Sequence, residues 1–459
     1  MKGLFVQTYG CQMNSSDSER MKAVLAPVGY ESVTKPDQAD LILINTCSVR
    51  DNAESKTDSF SSQLRQLRKK NPTLKIGVTG CVAQQEKDNL LERLPWVDMV
   101  LGPDNIDELP WLIDDLLQNP NKRLARAEFD SSDARTWNTQ SKILNPGPTT
   151  FVNIMKGCDH YCSYCIVPYT RGREKSRPIS DVIEDCKRLT DLGVREITFL
   201  GQNINTFGKR TGESLHELLR RAHEIENLKR IRFTTSHPGD IHDELIRCFE
   251  DLPKLCSHFH LPVQSGSNRI LRSMRRFYTR ELYLERVNAI RQARSDVSFS
   301  TDVIVGFPGE TEEDLLQTLD LIDQVKYGNG YSFTYSQRPG TSASTLKDDT
   351  PEDVKLERLS RVQKRIQHWS LLEHQNTVGT VQEILLEGPS KKDAKKLTGR
   401  SSQNVPVHIE ALPQYRAGDL VNVRIESATL THLKARTTHP QEALLSKSGS
   451  DSDWAAAPV

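Results

Sequence analysis

The chain has 459 residues, with 61 Lys and Arg against 61 Asp and Glu, so its formal net charge is zero. That length suits about three domains, and the balance excludes a global field that would draw the protein to nucleic acid, leaving local patches to do so. Its nine cysteines imply a reducing cytoplasm rather than a disulfide scaffold, and no run of 18 apolar residues marks a membrane span.

The opening sequence, MKGLFVQTYG, lacks an apolar signal core and reads as a strand over residues 2–7. A helix is expected from about Ser16-Asp17, where small polar residues suit a cap. Residues 41–44 (LILI) form a continuous apolar run, the pattern of a strand buried on both faces. A charged helical stretch to about Lys70 follows, and then a third strand at 74–79. Each strand is followed within a few residues by one cysteine, Cys11, Cys47 or Cys81, and then by a helix. A βαβαβα order folds as a parallel sheet with right-handed crossovers, and ligands bind at the carboxyl edge of such sheets. The three thiols are therefore expected to meet there and to hold a cluster with one open iron. Separate burial as small hydrophobes is the alternative. Residues 1–118 are assigned to this domain, and 119–148 read as a linker.

Central strands are expected at 151–155, 196–200, 230–234, 257–261, 299–305 and 331–335. The helices between them fall at 180–192, 214–226, 240–251, 280–294 and 311–326, the last with Thr311 and Asp314 spaced for a capping box. Six βα units are too few for a closed eight-stranded barrel, so an open, partial (β/α)6 barrel over 149–374 is expected, with its chemistry at the strands' carboxyl ends. Just after the first strand stands GCDHYCSYCIVPYTRGREKSR, which spaces Cys158, Cys162 and Cys165 as C-x3-C-x2-C. Three thiolates on one loop can hold three irons of a four-iron cluster and leave the fourth open for a substrate. A zinc site prefers four ligands in paired C-x2-C groups, and no second pair lies nearby. Gln202, Asn203, Ser236 and Gln264 follow successive strands and are candidate cofactor contacts, although such residues also favour plain loops. Lys156, Arg171, Arg173 and Arg177 are candidates for a phosphate or a cofactor carboxylate, with solvated surface as the alternative. Cys186, Cys248 and Cys256 read as core. Residues 269–294 hold eight arginines against two glutamates. Arg275 and Arg276 beside Phe277 and Tyr278 are candidates for RNA contact, or else part of a solvated helix face.

Residues 351–374 read as one amphipathic helix. Alternating segments at 380–386, 396–400, 405–409, 420–425 and 429–435 then suggest a small five-stranded β-barrel, spanning 377–440, of a type that binds oligonucleotides. Lys391, Lys392, Lys395 and Lys396 supply its basic cluster; a docking role is the alternative. Residues 441–459 are small, polar and expected to be disordered.

The C-x3-C-x2-C loop, with an aromatic before its last cysteine, resembles the radical S-adenosylmethionine superfamily. The strings YGCQMN, NTCSVR, GCVAQ and CIVPYTRGRE resemble its methylthiotransferase branch, and the C-terminal segment resembles the TRAM module of RNA-modifying enzymes. The resemblance covers about 435 residues and implies an α/β fold in three parts. It implies two [4Fe-4S] clusters, on Cys11, Cys47 and Cys81 and on Cys158, Cys162 and Cys165, with S-adenosyl-L-methionine at the second. The implied reaction places a methylthio group on C2 of N6-dimethylallyladenosine beside the tRNA anticodon, with two S-adenosylmethionine molecules per turnover. A threonylcarbamoyladenosine tRNA or a ribosomal-protein aspartate is the alternative substrate. The implied partners are the tRNA anticodon stem-loop and an electron donor such as flavodoxin, for a cytoplasmic monomer with no membrane partner.

Overall fold

A computed structural model describes residues 1–48, 63–129 and 146–438. The expected tail at 441–459, most of the linker and the start of the helix before Lys70 lie outside the described residues.

The N-terminal domain is a six-stranded, all-parallel sheet. Its strands are β1 (Lys2–Thr8), β2 (Tyr30–Ser32), β3 (Leu41–Thr46), β4 (Lys75–Gly80), β5 (Met99–Leu101) and β6 (Leu124–Arg126), in the order β2-β1-β3-β4-β5-β6. The LILI run alternates as a doubly covered strand must. Leu41 and Leu43 join the core under α1 (Gln12–Leu25), whereas Ile42 and Ile44 join the core on the other face. Three strands are shorter than the sequence signal requires, so six stand where three were expected. One of them, β6, falls inside the stretch read as linker, and the domain runs on to about residue 127. The first helix begins at Gln12 with Cys11 as its N-cap, four residues before the expected start. Ser16 and Asp17 are buried inside it; Asp17 serves a tertiary partner, Arg171, and not a cap.

The central domain carries six parallel strands in chain order: β7 (Thr149–Asn153), β8 (Glu196–Leu200), β9 (Arg230–Phe233), β10 (His258–His260), β11 (Ser298–Val305) and β12 (Asn329–Thr334). The trio β9-β8-β7 and the trio β10-β11-β12 are joined by a parallel bridge between Ile231 and Leu255, which gives the expected open barrel. Helices cover its outside. Thr311 and Asp314 close a capping box at the helix Glu312–Val325, and the 25-residue helix Glu352–Asn376 packs along β12. The C-terminal domain is a closed five-stranded barrel. It docks at the amino ends of the central strands. Arg230 donates to the carbonyls of Arg400 and Glu383, each at 2.7 Å, and Arg232 to those of Ser401 and Ser402, each at 2.8 Å. No helix among the described residues is long and apolar enough to cross a membrane.

Candidate active site

Both cysteine triads sit where parallel strands end, and each begins after a glycine that nothing larger could replace. Gly157 has φ +75°, and a Cβ there would lie 2.2 Å from the Arg173 carbonyl oxygen. Gly10 has φ +144°, and a Cβ there would lie 2.7 Å from the Cβ of Cys47. Only a residue without a Cβ lets the chain turn so tightly and the cysteines come so near.

In the N-terminal domain Cys11 caps α1, Cys47 follows β3, and Cys81 opens the helix Cys81–Glu86 after β4. The Cys11 thiol is hydrogen-bonded to Cys47. That bond, with the charge of Arg171 and the backbone around Asn14, outweighs burial and lowers Cys11 to about 6. Arg171 Nε donates to Cys81 Sγ at 3.3 Å. Cys81 and Cys11 thus gather at one guanidinium, with Cys47 bonded to Cys11, and the donor set suits a thiolate-held cluster. Cys47 opens on a cavity of about 540 Å³ whose far wall is Ser336–Pro339 of the central domain.

In the central domain Cys158, Cys162 and Cys165 line a cavity of about 760 Å³. Burial pushes the Cys165 thiol up to about 12 and Cys158 higher still, so these thiols ionise only when a cation replaces the lost water. Cys162 Sγ accepts from Arg276 Nη1 at 3.6 Å. The same cavity is lined by Gln202 and Asn203 after β8, Ser236 and His237 after β9, Gln264 after β10, and Asp302 of β11. Four of these present buried polar atoms with no partner: both amide atoms of Gln202, Asn203 Oδ1, Ser236 Oγ and His237 Nε2. Buried polar groups are rarely left so, and a cluster of them around one cavity fits a polar ligand of the size of S-adenosylmethionine. Strain gathers here too. Of the eight described non-glycine residues with positive φ, Tyr161, Thr235, Gln264, Arg275 and Phe277 are on this cavity's wall or in the loops that carry its residues. Each such residue costs about 1–3 kcal/mol, and this strain typically clusters at ligand sites.

His237 stands directly after Ser236 at the end of β9, and that place after a strand is its signal in the sequence. Burial, with Arg276 and His160 beside it, lowers its pKa to about 2, so it is a neutral imidazole. Gly239 N–H donates to its Nδ1 at 3.2 Å, which leaves Nε2 as a donor facing the cavity. Its ring stacks on His160 at 3.9 Å, and Asp240 bonds His160 at 2.5 Å and Asn203 at 2.8 Å. Asp302 escapes sequence reasoning because it lies within a strand that already carries Ser298, Ser300 and Thr301, and not in a loop after one.

Several basic candidates are elsewhere. Lys156 is buried against Asp104 at 2.9 Å and Arg177 against Asp185 at 2.6 Å; each offsets a buried carboxylate and is closed to a phosphate. Arg173 is exposed and bonded to Asp159. Arg276 is buried and donates to the Pro262 carbonyl at 3.0 Å, as well as to Cys162; it is a wall of the cavity and not part of a solvent-facing basic patch. Arg275 and Phe277, on either side of it, face solvent, whereas Tyr278 is buried. On the barrel, Lys391, Lys392 and Lys395 are exposed and Lys396 is half-buried. The charges of Lys392, Lys396 and Lys434 act on His408 and His432, so one basic face gathers there.

Comparison with known proteins agrees with this three-part build. Residues 3–102 match the uncharacterized protein family UPF0004, residues 152–322 the radical SAM superfamily, and residues 375–438 the TRAM domain. Among solved structures, the radical S-adenosylmethionine methyltransferase TsrM from Kitasatospora setae superposes with a TM-score of 0.54 at 13% identity over 75% of each chain, a likeness of fold. The tRNA-2-methylthio-N(6)-dimethylallyladenosine synthase of Geobacter metallireducens is 47% identical over 92% of this chain and 96% of its own. That of Neisseria meningitidis serogroup B is 44% identical over 93% and 96%. With such identity along nearly the whole length, the chain belongs to the radical S-adenosylmethionine methylthiotransferase family, in the group of the tRNA-2-methylthio-N(6)-dimethylallyladenosine synthases.

Proposed function

We propose that this chain is the tRNA methylthiotransferase that converts N6-dimethylallyladenosine, next to the anticodon at position 37, into its 2-methylthio derivative. The observation that carries the reading is the abutment of the two cysteine sites. The cavity at Cys47 and the cavity at Cys158, Cys162 and Cys165 share Ser336 and Arg338 as common wall, so a substrate base there reaches both sites without moving far.

An aromatic C2–H is unactivated, and an iron–sulfur cluster with S-adenosylmethionine supplies the radical chemistry able to take it. Cys158, Cys162 and Cys165 would hold that cluster and leave one iron open. Gln202, Asn203, Ser236, His237 and Gln264 would hold and orient the cofactor, since they bring unpartnered polar atoms or strained backbone to the same wall. Cys11, Cys47 and Cys81 would hold a second cluster that keeps the sulfur in reach of C2. A soft sulfide accepts a methyl group without radical help, so one S-adenosylmethionine would serve methylation and another hydrogen removal. Redox-sensitive clusters of this kind suit the cytoplasm, with a small electron-transfer protein as reductant.

Nucleoside mass analysis of tRNA from a strain lacking the gene tests the reading: the 2-methylthio derivative should vanish while N6-dimethylallyladenosine accumulates. Unchanged nucleosides would refute it. Replacing Cys11, Cys47 and Cys81 together by Ala should lower the reconstituted iron content from about eight to about four per chain. Cleavage of S-adenosylmethionine should persist while methylthiolation is lost. Full iron with retained methylthiolation would end the two-cluster reading.

A further inference from the structure

The central domain does more than abut the N-terminal cysteine site; it inserts a side chain into it. Arg171 ends the short helix Val167–Arg171, six positions after Cys165 of the other triad. That helix packs against the helix Cys81–Glu86. The guanidinium is buried. Its Nη2 donates to Asp17 Oδ2 at 2.7 Å and its Nε to Cys81 Sγ at 3.3 Å. Asp17 is buried as well.

A staple between domains requires only the pair with Asp17. The second bond, onto a sulfur, has another consequence. An N–H directed at a cluster thiolate withdraws electron density from it, and a buried positive charge favours the more negative, reduced cluster; hydrogen bonds to the sulfurs and local charge are among the influences that set cluster potentials. Arg276 stands in the same relation to Cys162 of the second triad, at 3.6 Å. Each site thus receives one buried arginine, but only Arg171 crosses between domains.

We infer that Arg171 is a positioning residue of the central domain that raises the reduction potential of the N-terminal cluster by its bond to Cys81 Sγ, and so ties that cluster's electronic state to the docking of the radical-site loop. The inference rests on the proposed cluster at Cys11, Cys47 and Cys81. It acts through the cysteine and touches no substrate.

The test uses the full chain with Cys158, Cys162 and Cys165 all replaced by Ala, reconstituted with iron and sulfide, so that one cluster remains to be titrated. Absence of iron in this protein defeats the two-cluster reading itself, independently of any role for Arg171. With iron present, Arg171→Gln should shift the midpoint downward. At the unsubstituted protein's midpoint, the reduced-to-oxidised ratio should fall at least tenfold, 59 mV for a one-electron couple. Arg171→Lys, which keeps the charge but not the planar Nε–H, should give a smaller downward shift. Midpoints unchanged in both variants at full iron content would overturn the inference. If the Gln variant cannot retain iron, the Lys variant decides by the same criterion. Loss of iron from both variants would also overturn it, since the arginine would then build the site and not tune it.

Discussion

Replacing Gln202 by Met separates a ligand-binding role from a packing role. Both amide atoms of Gln202 are buried at the cavity wall with no partner, and Met has nearly the same shape without polar atoms. An unsatisfied buried polar group costs about 1–3 kcal/mol, so the cofactor-free Met variant should gain about 2 kcal/mol. For a domain of this size that is a rise in Tm of about 4–8 °C. The same change should remove one or two net hydrogen bonds to S-adenosylmethionine, each worth about 0.5–1.5 kcal/mol. Affinity should then fall between about twofold and about 140-fold at 1.4 kcal/mol per decade. Differential scanning calorimetry of the cluster-free chain reads the first quantity, and isothermal titration of S-adenosylmethionine into the reconstituted chain reads the second. A stabilised variant that binds the cofactor less well is the expected outcome, a stability–function exchange of the kind ligand sites carry. Undiminished affinity would refute the reasoning, whatever happens to Tm.

Charge reversal of Lys392 and Lys396 should weaken tRNA binding and reduce the slope of log K against log salt by about 2, and filter binding at several salt concentrations measures it; an unchanged slope would remove this face from the interface. Deleting the whole barrel is the poorer experiment, because it uncovers Arg230 and Arg232, which are buried against its carbonyls. The hydrogen bond to Cys47 brings half-buried Cys11 from 9.0 to about 6, whereas burial holds Cys165 up at about 12. In the iron-free protein Cys11 should therefore be about nine-tenths thiolate at pH 7 and Cys165 almost none. Alkylation of the Cys11 peptide, followed by mass spectrometry, should rise with a midpoint near 6; a midpoint above 8 would refute the assignment. A lowered thiol stabilises the fold fully above its unfolded value of 9.0, and that contribution is lost as pH falls through about 6.

The parts of the site legible in the sequence are those that depend on chain order alone. C-x3-C-x2-C fixes three sulfurs to one loop, and the strand–cysteine–helix order fixes Cys11, Cys47 and Cys81 to one sheet edge, whatever the packing. Gln202, Asn203, Ser236 and Gln264 are readable for the same reason, since each follows a strand. What fails depends on partners far along the chain. Within the arginine-dense stretch 269–294, nothing local distinguishes buried Arg276 from exposed Arg275; the difference is made by Pro262 and Cys162. Lys156 looks available in sequence because Asp104 is 52 positions away. Arg171 looks like surface because Asp17 is 154 positions away. The strands β2, β5 and β6 have three residues each, too few for alternation to register, and only sheet pairing makes them strands.

The placement of the C-terminal barrel bears on the size of the substrate. Its loop around Ser401 and Ser402 bonds to Arg232 and to Ser257, just ahead of β10, so it grips the amino ends of the central strands. Both cysteine sites lie at the carboxyl ends. The strand β11, with eight residues, is about 26 Å long at 3.3 Å per residue, and this is the scale of the gap between the two ends. A substrate held at both must be a body much longer than the base that reacts. A short peptide loop carrying an aspartate would engage one end and leave the other unused. A folded tRNA can place its anticodon base in the shared cavity while its backbone reaches round toward Lys391, Lys392, Lys395 and Lys396. The docking of the barrel through Arg230 and Arg232 then fixes the distance between grip and reaction, so the architecture can select for the shape of the RNA as well as for the chemistry of the base.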